Sequence, residues 1–249
     1  MNKLDTFGLN KDSASAADDF FGIVLNHASA ISIHSIHIVG SAATEEFSAA
    51  RSDINSIIVL QKTSNEIIKF IAPLGRKYAR KKMAAPFIIP LHELTSSVDT
   101  FPVEFLNYKL MHKTLFGEDI FNNIQIEKKH LRLQSERELR LLHINMTRQF
   151  ISILGRTSGI PDIIKYAVRN SIPLLRAIIY LLEGMPPLNK QAVISDFTNA
   201  SGLNSDIFET ALHIKEGTIK PDKTELENIF FNYCTALENV CKMVNDLNV

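Results

Sequence analysis

Residues 36–60 read IHIVGSAATEEFSAARSDINSIIVL and determine which fold the sequence predicts. Two short runs rich in β-branched residues, IHIVG at 36–40 and SIIVLQ at 56–61, predict two strands. The segment 41–51 between them is rich in helix formers and opens with Ser41, a residue type that caps helices. The sequence therefore predicts a strand, a tight glycine turn, a helix and a second strand.

The polar residues of this stretch are suited to binding a nucleoside triphosphate. Glycine at position 40 lets a backbone approach phosphates closely, and the Ser41 hydroxyl and the free N–H groups of a helix start bind phosphate oxygens. Asp53 and Asn55 are two residues apart on the predicted strand, so their side chains point to one face and can share divalent ions. Two such ions would activate an attacking hydroxyl and neutralise the pyrophosphate leaving group.

Gly40-Ser41 followed by Arg51-Ser52-Asp53-Ile54-Asn55 resembles the signature of the DNA polymerase beta-like nucleotidyltransferase superfamily, over roughly residues 30–120. The resemblance implies Mg²⁺ or Mn²⁺ and a nucleoside triphosphate, expected to be ATP, whose nucleoside monophosphate passes to a hydroxyl of a small molecule or protein. It implies that Asp53 is catalytic and that Gly40, Ser41, Arg51 and Ser52 bind the nucleotide. Arg51 could equally pair with a nearby acid.

Members of this superfamily take a third carboxylate from a later strand. The best match is Glu104 in FPVEFLNYK, because apolar neighbours predict a strand over 103–110 that displays it on the Asp53 face. The resemblance implies that Glu104, like Asp53, is a catalytic residue and a metal ligand. Asp99 is the competing third carboxylate. A glutamate on an edge strand could also face water and have no catalytic role.

One position departs from the superfamily pattern, since Asn55 stands where the second carboxylate is expected. An amide oxygen can bind a metal but carries no charge. A unit-charge pair about 4 Å apart contributes roughly 4 kcal/mol at an effective dielectric near 20, which is about three decades of affinity. Two functions therefore stay open: an active metal-dependent nucleotidyltransferase, or a catalytically impaired module that binds nucleotide or a protein partner.

The rest of the chain divides by pattern into two halves. Apolar residues at helical spacing predict a helix from Asn65 to about Lys82, and PFIIPL at 86–91 predicts a strand. After about residue 126 we expect helices alone, over the segments 131–154, after Pro161, Ser171 to Gly184, and 223–247. The predicted class is α+β: a nucleotidyltransferase-type mixed sheet with flanking helices in residues 1–125, then an all-helical bundle in 126–249, whose helices could also bind a protein partner.

The run RKYARKK at 76–82 holds five basic residues in seven. At the end of a helix, cations interact favourably with the helix dipole, which favours a solvated helix terminus. The other interpretation is a contact to phosphate or RNA, with Tyr78 as a stacking surface.

Composition limits the class of protein. The chain has 249 residues, 45% hydrophobic and 22% charged, and its 27 basic and 27 acidic residues balance, which argues against a dedicated nucleic-acid-binding protein. No apolar run reaches the ~18–20 residues of a membrane span, and no signal-type segment opens the sequence. Cys234 and Cys241 are separated by ~10.5 Å of helix rise, beyond the ~7 Å that a disulfide tolerates. We expect a reduced, cytoplasmic protein.

Overall fold

The computed structural model describes residues 4–27, 30, 32–48 and 52–249. Its internal contacts divide the chain into two compact units: Met1–Asp99 with Phe105–Gln125, and Thr100–Glu104 with Ile126–Val249. Within the described ranges, no helix is long and apolar enough to cross a membrane.

The strands of the described residues form one mixed sheet of four strands, in the order β3-β2-β1-β4. They are β1 (Ile33–Val39), β2 (Asn55–Leu60), β3 (Phe87–Pro90) and β4 (His112–Gly117). The central strand β1 is antiparallel to both β2 and β4, whereas β3 runs parallel to β2. The predicted strands at 36–40, 56–61 and 86–91 are thus confirmed to within a few residues.

Helices flank this sheet in the first unit. They are α1 (Lys11–Leu25), α2 (Asn65–Ile71), α3 (Gly75–Ala79), α4 (Leu91–Ser96) and α5 (Pro102–Leu110), with a short 3-10 turn, Ala72–Leu74, between α2 and α3. The apolar face of α1 packs on the sheet, where Phe20, Phe21, Ile36, Ile38 and Ile58 belong to one buried cluster. Burial of each such side chain stabilises the folded state by roughly 1.5–3 kcal/mol. Because α1 covers one face of the sheet, the other face remains for other contacts.

The second unit is helical throughout, and its described residues contain no strand, as expected after residue 126. Its long elements are α6 (Lys128–Ser152), α7 (Ile160–Leu182), α8 (Lys190–Ser201), α9 (Asp206–Glu216) and α10 (Lys223–Asp246). Helix α7 contacts the other four. The separate helix expected to start at Ser171 is wrong, because α7 passes through Pro173 without a break. Burial of most of its side chains outweighs the ~3 kcal/mol cost of an internal proline.

The helix expected over 41–51 is also wrong for the described part of that segment. Only a 3-10 turn, Gly40–Ala43, forms there. The Thr44 hydroxyl donates to the Ser41 carbonyl at 3.1 Å and accepts from the Glu46 backbone N–H at 3.3 Å. Such local side-chain bonds compete with the backbone hydrogen bonds of a helix, so the 3-10 segment ends after a single turn. A four-residue turn has no helix dipole to bind phosphate, so the phosphate site expected at a helix start after Gly40 is wrong.

The strand expected over 103–110 is a helix, α5, so the geometry that was to carry Glu104 beside Asp53 is wrong. Pro102 occupies its first position, where proline lacks only an N–H that would have had no helical partner. Val103 and Leu106, three residues apart, are both buried, while Glu104 between them is exposed. This spacing of three satisfies a helix, whereas a strand would have placed these two residues on opposite faces.

Candidate functional site

The predicted nucleotide-binding turn lies next to the start of β2. In the β1–β2 register Val39 is opposite Asn55, so Gly40 and Ser41 continue from the point where Asn55 begins its strand. Gly40 has a φ of +72°, a left-handed conformation that glycine adopts without strain. Its N–H donates to the Met111 carbonyl at 2.9 Å, which ties the turn to the start of β4.

Exposure alternates along the predicted metal-binding residues. Asp53 and Asn55 are exposed, while Ile54 between them is only 1% exposed and belongs to the buried cluster. The two polar side chains therefore share the open side, as the sequence predicts. Ser52 is half-buried, and its N–H donates to the Ser48 carbonyl at 2.8 Å. Arg51 lies outside the described residues.

We call Gly40, Ser41, Ser52, Asp53 and Asn55 the turn end of the sheet. Its neighbour on the other side is the segment that leads into β3. The Ile54 N–H donates to the Lys82 carbonyl at 2.7 Å, and the Ala84 N–H donates to the Ile54 carbonyl at 3.0 Å. This parallel bridge pairs Ile54 with Met83.

That register determines what stands beside the predicted metal ligands. Asp53 is next to Lys82, and Asn55 is next to Ala84. The segment 82–85 reads Lys-Met-Ala-Ala, so it supplies no carboxylate to the site. The sequence alone could not show this pairing, because it depends on where a short bridge forms across a gap of almost thirty residues.

The predicted third carboxylate, Glu104, belongs to the second unit. It accepts a hydrogen bond from the Gln134 amide nitrogen at 2.7 Å, and the Gln134 amide oxygen accepts the Val103 backbone N–H at 2.8 Å. Val103 lies in the first turn of α5, where backbone N–H groups lack helical partners. Gln134 thus caps this helix start and orients Glu104. The competing residue, Asp99, is exposed in the turn before α5.

The donor set of the turn end fits one Mg²⁺ ion better than two. Asp53 offers a carboxylate and Asn55 an amide oxygen, and Mg²⁺ commonly binds one or two protein oxygens together with waters and substrate phosphates. Across the described ranges, no group of three or more His, Cys, Asp or Glu side chains is arranged to hold a metal ion. A single ion that arrives with a nucleotide is compatible with one carboxylate and one amide oxygen.

Polar groups also occupy the middle of the sheet, where Ser35 and His37 are buried and Thr114 is half-buried. His37 on β1 is 0% exposed; one ring nitrogen lies 2.8 Å from the Ser35 hydroxyl and the other 2.9 Å from the Thr114 hydroxyl. Its ring packs edge-on against Phe121. Burial, helped by the nearby His112 ring, lowers the pKa of His37 from 6.5 to about 4. We call Ser35, His37 and Thr114 the buried middle of the sheet.

The basic run at 76–82 separates into side chains with different surroundings. Tyr78 is 1% exposed, its hydroxyl donates to the Asp19 carbonyl at 3.1 Å, and its ring packs edge-on against Phe20, so its predicted stacking role is wrong. Lys77 and Lys81 lie over the Tyr78 ring, and Lys81 also pairs with the Asp19 carboxylate.

Neither a protein-family model nor a curated protein matches the sequence. Solved structures do resemble the fold. One is the spectinomycin adenyltransferase AAD(9) from Enterococcus faecialis, solved with ATP and spectinomycin. The identity is 12% and the TM-score 0.58, over 94% of this chain and 99% of that one. This likeness confirms the predicted fold class, a nucleotidyltransferase-type mixed sheet with flanking helices followed by a helical region.

Proposed function

We propose that this protein binds ATP with Mg²⁺ at the turn end of the sheet and transfers AMP to a hydroxyl group of a small molecule or protein. The observation that carries the proposal is the β1–β2 register, which places the Gly40-Ser41 turn beside the exposed Asp53 and Asn55. The fold adds support, because a structure of similar fold is an adenyltransferase solved with ATP.

Each residue of the turn end has a role in this proposal. The open backbone at Gly40 admits phosphate, since a side chain built there would meet nothing within 4 Å. The Ser41 and Ser52 hydroxyls donate to phosphate oxygens, with Arg51 as a further phosphate ligand. Asp53 holds Mg²⁺ with help from the Asn55 amide oxygen. When bound, the ion neutralises phosphate charge and polarises the α-phosphate.

The reaction is a substitution at the α-phosphorus of ATP. An oxygen of the acceptor forms a new bond to that phosphorus and loses its proton, and the bond to the β-phosphate oxygen breaks, releasing pyrophosphate. The acceptor proton passes to the Asp53 carboxylate. Glu104 was predicted for the metal site on the strength of a strand that does not form, so we propose Asp53 alone as the carboxylate that the reaction requires.

A second candidate function is nucleotide binding without transfer. It is favoured by two observations: Asn55 lacks the expected charge, and the neighbouring segment 82–85 contains no carboxylate. One carboxylate and one amide can hold a single ion with nucleotide, yet catalysis by two ions needs more negative charge than these residues supply.

Transfer from ATP labelled at the α-phosphate distinguishes these functions, with spectinomycin and the protein itself as acceptor probes. Labelled product from the wild type that Asp53→Ala abolishes supports transfer. Labelled product only from Asn55→Asp, with tight Mg²⁺–ATP binding by the wild type, supports binding without transfer. Full transfer by Asp53→Ala contradicts both candidates, as does the absence of nucleotide binding in the wild type.

A further inference from the structure

Lys82, the last residue of the basic run, differs from its neighbours in backbone conformation. Its φ is +63°, in the left-handed region that residues with a side chain rarely adopt. The Lys82 N–H donates to the Ala79 carbonyl at 3.0 Å and the Met83 N–H donates to the Tyr78 carbonyl at 3.2 Å. These two bonds form a Schellman motif at the end of α3, with Lys82 at the position that glycine usually occupies.

A lysine at that position is less stable than glycine would be, because its Cβ is crowded in the left-handed conformation. Nothing in the helix ending itself requires a charged side chain, and the motif is formed by backbone groups alone. The choice of lysine is therefore not explained by local structure. Residues held in unfavourable backbone conformations cluster at active sites and ligand-binding sites.

The side chain of Lys82 is exposed and has no acidic partner in the described part of the chain. The contrast with Lys81 is direct, since Lys81 pairs with Asp19 beside the Tyr78 ring. At the same time the Ile54–Lys82 backbone bond of 2.7 Å fixes Lys82 next to Asp53. Among the described residues, Lys82 thus lies beside Asp53, the proposed metal-binding carboxylate, and has no acidic partner of its own.

We propose that Lys82 is a phosphate-binding residue of the turn end, an inference that rests on the proposed function. The triphosphate of ATP carries more negative charge than one Mg²⁺ ion neutralises, so a cation beside Asp53 stabilises the bound nucleotide in addition to Arg51. The lysine side chain is a flexible stem with a point charge, which reaches phosphate oxygens without demanding one geometry. Lys82 supplies positive charge to the phosphates while Asp53 holds the ion.

Calorimetric titration of the 249-residue chain with Mg²⁺–ATP tests the assignment. Lys82→Gln removes the charge, and Lys81→Gln is the matched control that removes the same charge one residue away. We expect Lys82→Gln to weaken binding about tenfold and Lys81→Gln to change it less than twofold. Lys82→Arg, which keeps the charge, should bind within about threefold of the wild type.

Lys82→Gly separates a phosphate ligand from a structural residue. Glycine relieves the left-handed backbone, so the melting temperature should rise while Mg²⁺–ATP binding weakens as in Lys82→Gln. Equal losses in Lys82→Gln and Lys81→Gln would show a general charge effect and overturn the assignment, as would wild-type binding by Lys82→Gly. Those results leave the proposed function intact, whereas a wild type that binds no Mg²⁺–ATP contradicts the proposed function and this inference with it.

Discussion

The turn end and the buried middle of the same sheet both carry polar side chains, but their surroundings are opposite. In the buried middle, His37 has a hydroxyl partner on each ring nitrogen, Ser35 on one side and Thr114 on the other. At the turn end, Asp53 and Asn55 are exposed, and the hydrogen bonds of that region are mostly backbone ones.

This contrast separates the polar residues that stabilise the fold from those that are available to a ligand. A buried polar group must be bonded inside the protein or destabilise it, so the partners of His37 are needed for folding. An exposed group beside a backbone turn has water as its alternative partner, and a ligand can replace that water. Substitutions in the buried middle should therefore change stability, and substitutions at the turn end should change nucleotide binding.

The largest expected effect is a loss of stability at acid pH from the buried middle. Burial lowers the pKa of His37 to about 4, whereas the unfolded chain protonates this residue at 6.5. Between these values the unfolded state binds more protons, so this contribution is complete above pH 6.5 and is lost as the pH falls towards 4. The loss is about 3 kcal/mol, measurable as the free energy of unfolding in urea.

His37→Asn is the control for that pH dependence, because asparagine keeps a polar side chain but does not titrate in this range. Carboxylates elsewhere in the chain contribute equally to both proteins, so the comparison isolates His37. The variant should show a shallower decline between pH 6.5 and 4. Parallel curves for wild type and variant would contradict the neutral, buried state of His37.

At the turn end, Asp53→Asn should weaken Mg²⁺–ATP binding about a hundredfold, because it removes the carboxylate proposed to hold the ion. The side chain is exposed and of nearly equal size, so the free energy of unfolding should change by less than about 0.5 kcal/mol. Calorimetry and urea unfolding measure the two quantities on one preparation. A large loss of stability with unchanged Mg²⁺–ATP binding would show that Asp53 has a structural role, as we expect only for the buried middle.

Thr114→Val should destabilise the protein by about 1–2 kcal/mol, because it leaves a ring nitrogen of buried His37 without its partner at 2.9 Å. Nucleotide affinity should stay within twofold of the wild-type value. Thr147→Val on α6 makes the same chemical change at an exposed position and serves as the control in urea unfolding. Equal stability of the two variants would show that the hydroxyl is not required in the buried middle.

The smallest effect on nucleotide binding is expected at Glu104. Its substitution tests whether this carboxylate contributes to the metal site at the turn end. In the wild type, the Gln134 amide nitrogen donates to a Glu104 carboxylate oxygen at 2.7 Å. Glu104→Gln keeps an oxygen that can accept this bond, and Mg²⁺–ATP affinity should change less than twofold. Titration calorimetry measures this directly. A loss comparable to that of Asp53→Asn would restore Glu104 as a metal ligand despite its position on a helix.

The sequence predicted those parts of the fold that depend on local pattern. The strands near 36–40 and 56–61 are β-branched runs with clear ends, and α10 begins at the capping pair Asp222 and Glu225 close to its predicted start. The exposure of Asp53 and Asn55 also followed from strand alternation, because a buried Ile54 stands between them.

The errors arose where local pattern was ambiguous or where long-range pairing decided the outcome. FPVEFLNYK has aromatic and apolar residues that suit a strand, but the burial of Val103 and Leu106 selects a helix. The helix predicted after Gly40 is limited to a single 3-10 turn, because the Thr44 hydroxyl forms local bonds to the backbone. The bridge that brings Lys82 beside Asp53 has no sequence signature, since it joins segments far apart in the chain.

We propose that the turn end of the sheet binds a nucleotide through Asp53 and a divalent ion. Calorimetric titration of the wild type with ATP, with Mg²⁺ and with chelator in its place, tests this most directly when Asp53→Asn is titrated alongside. We expect binding that requires both Mg²⁺ and Asp53. Equal binding by wild type and Asp53→Asn, or no binding by the wild type in Mg²⁺, would contradict it.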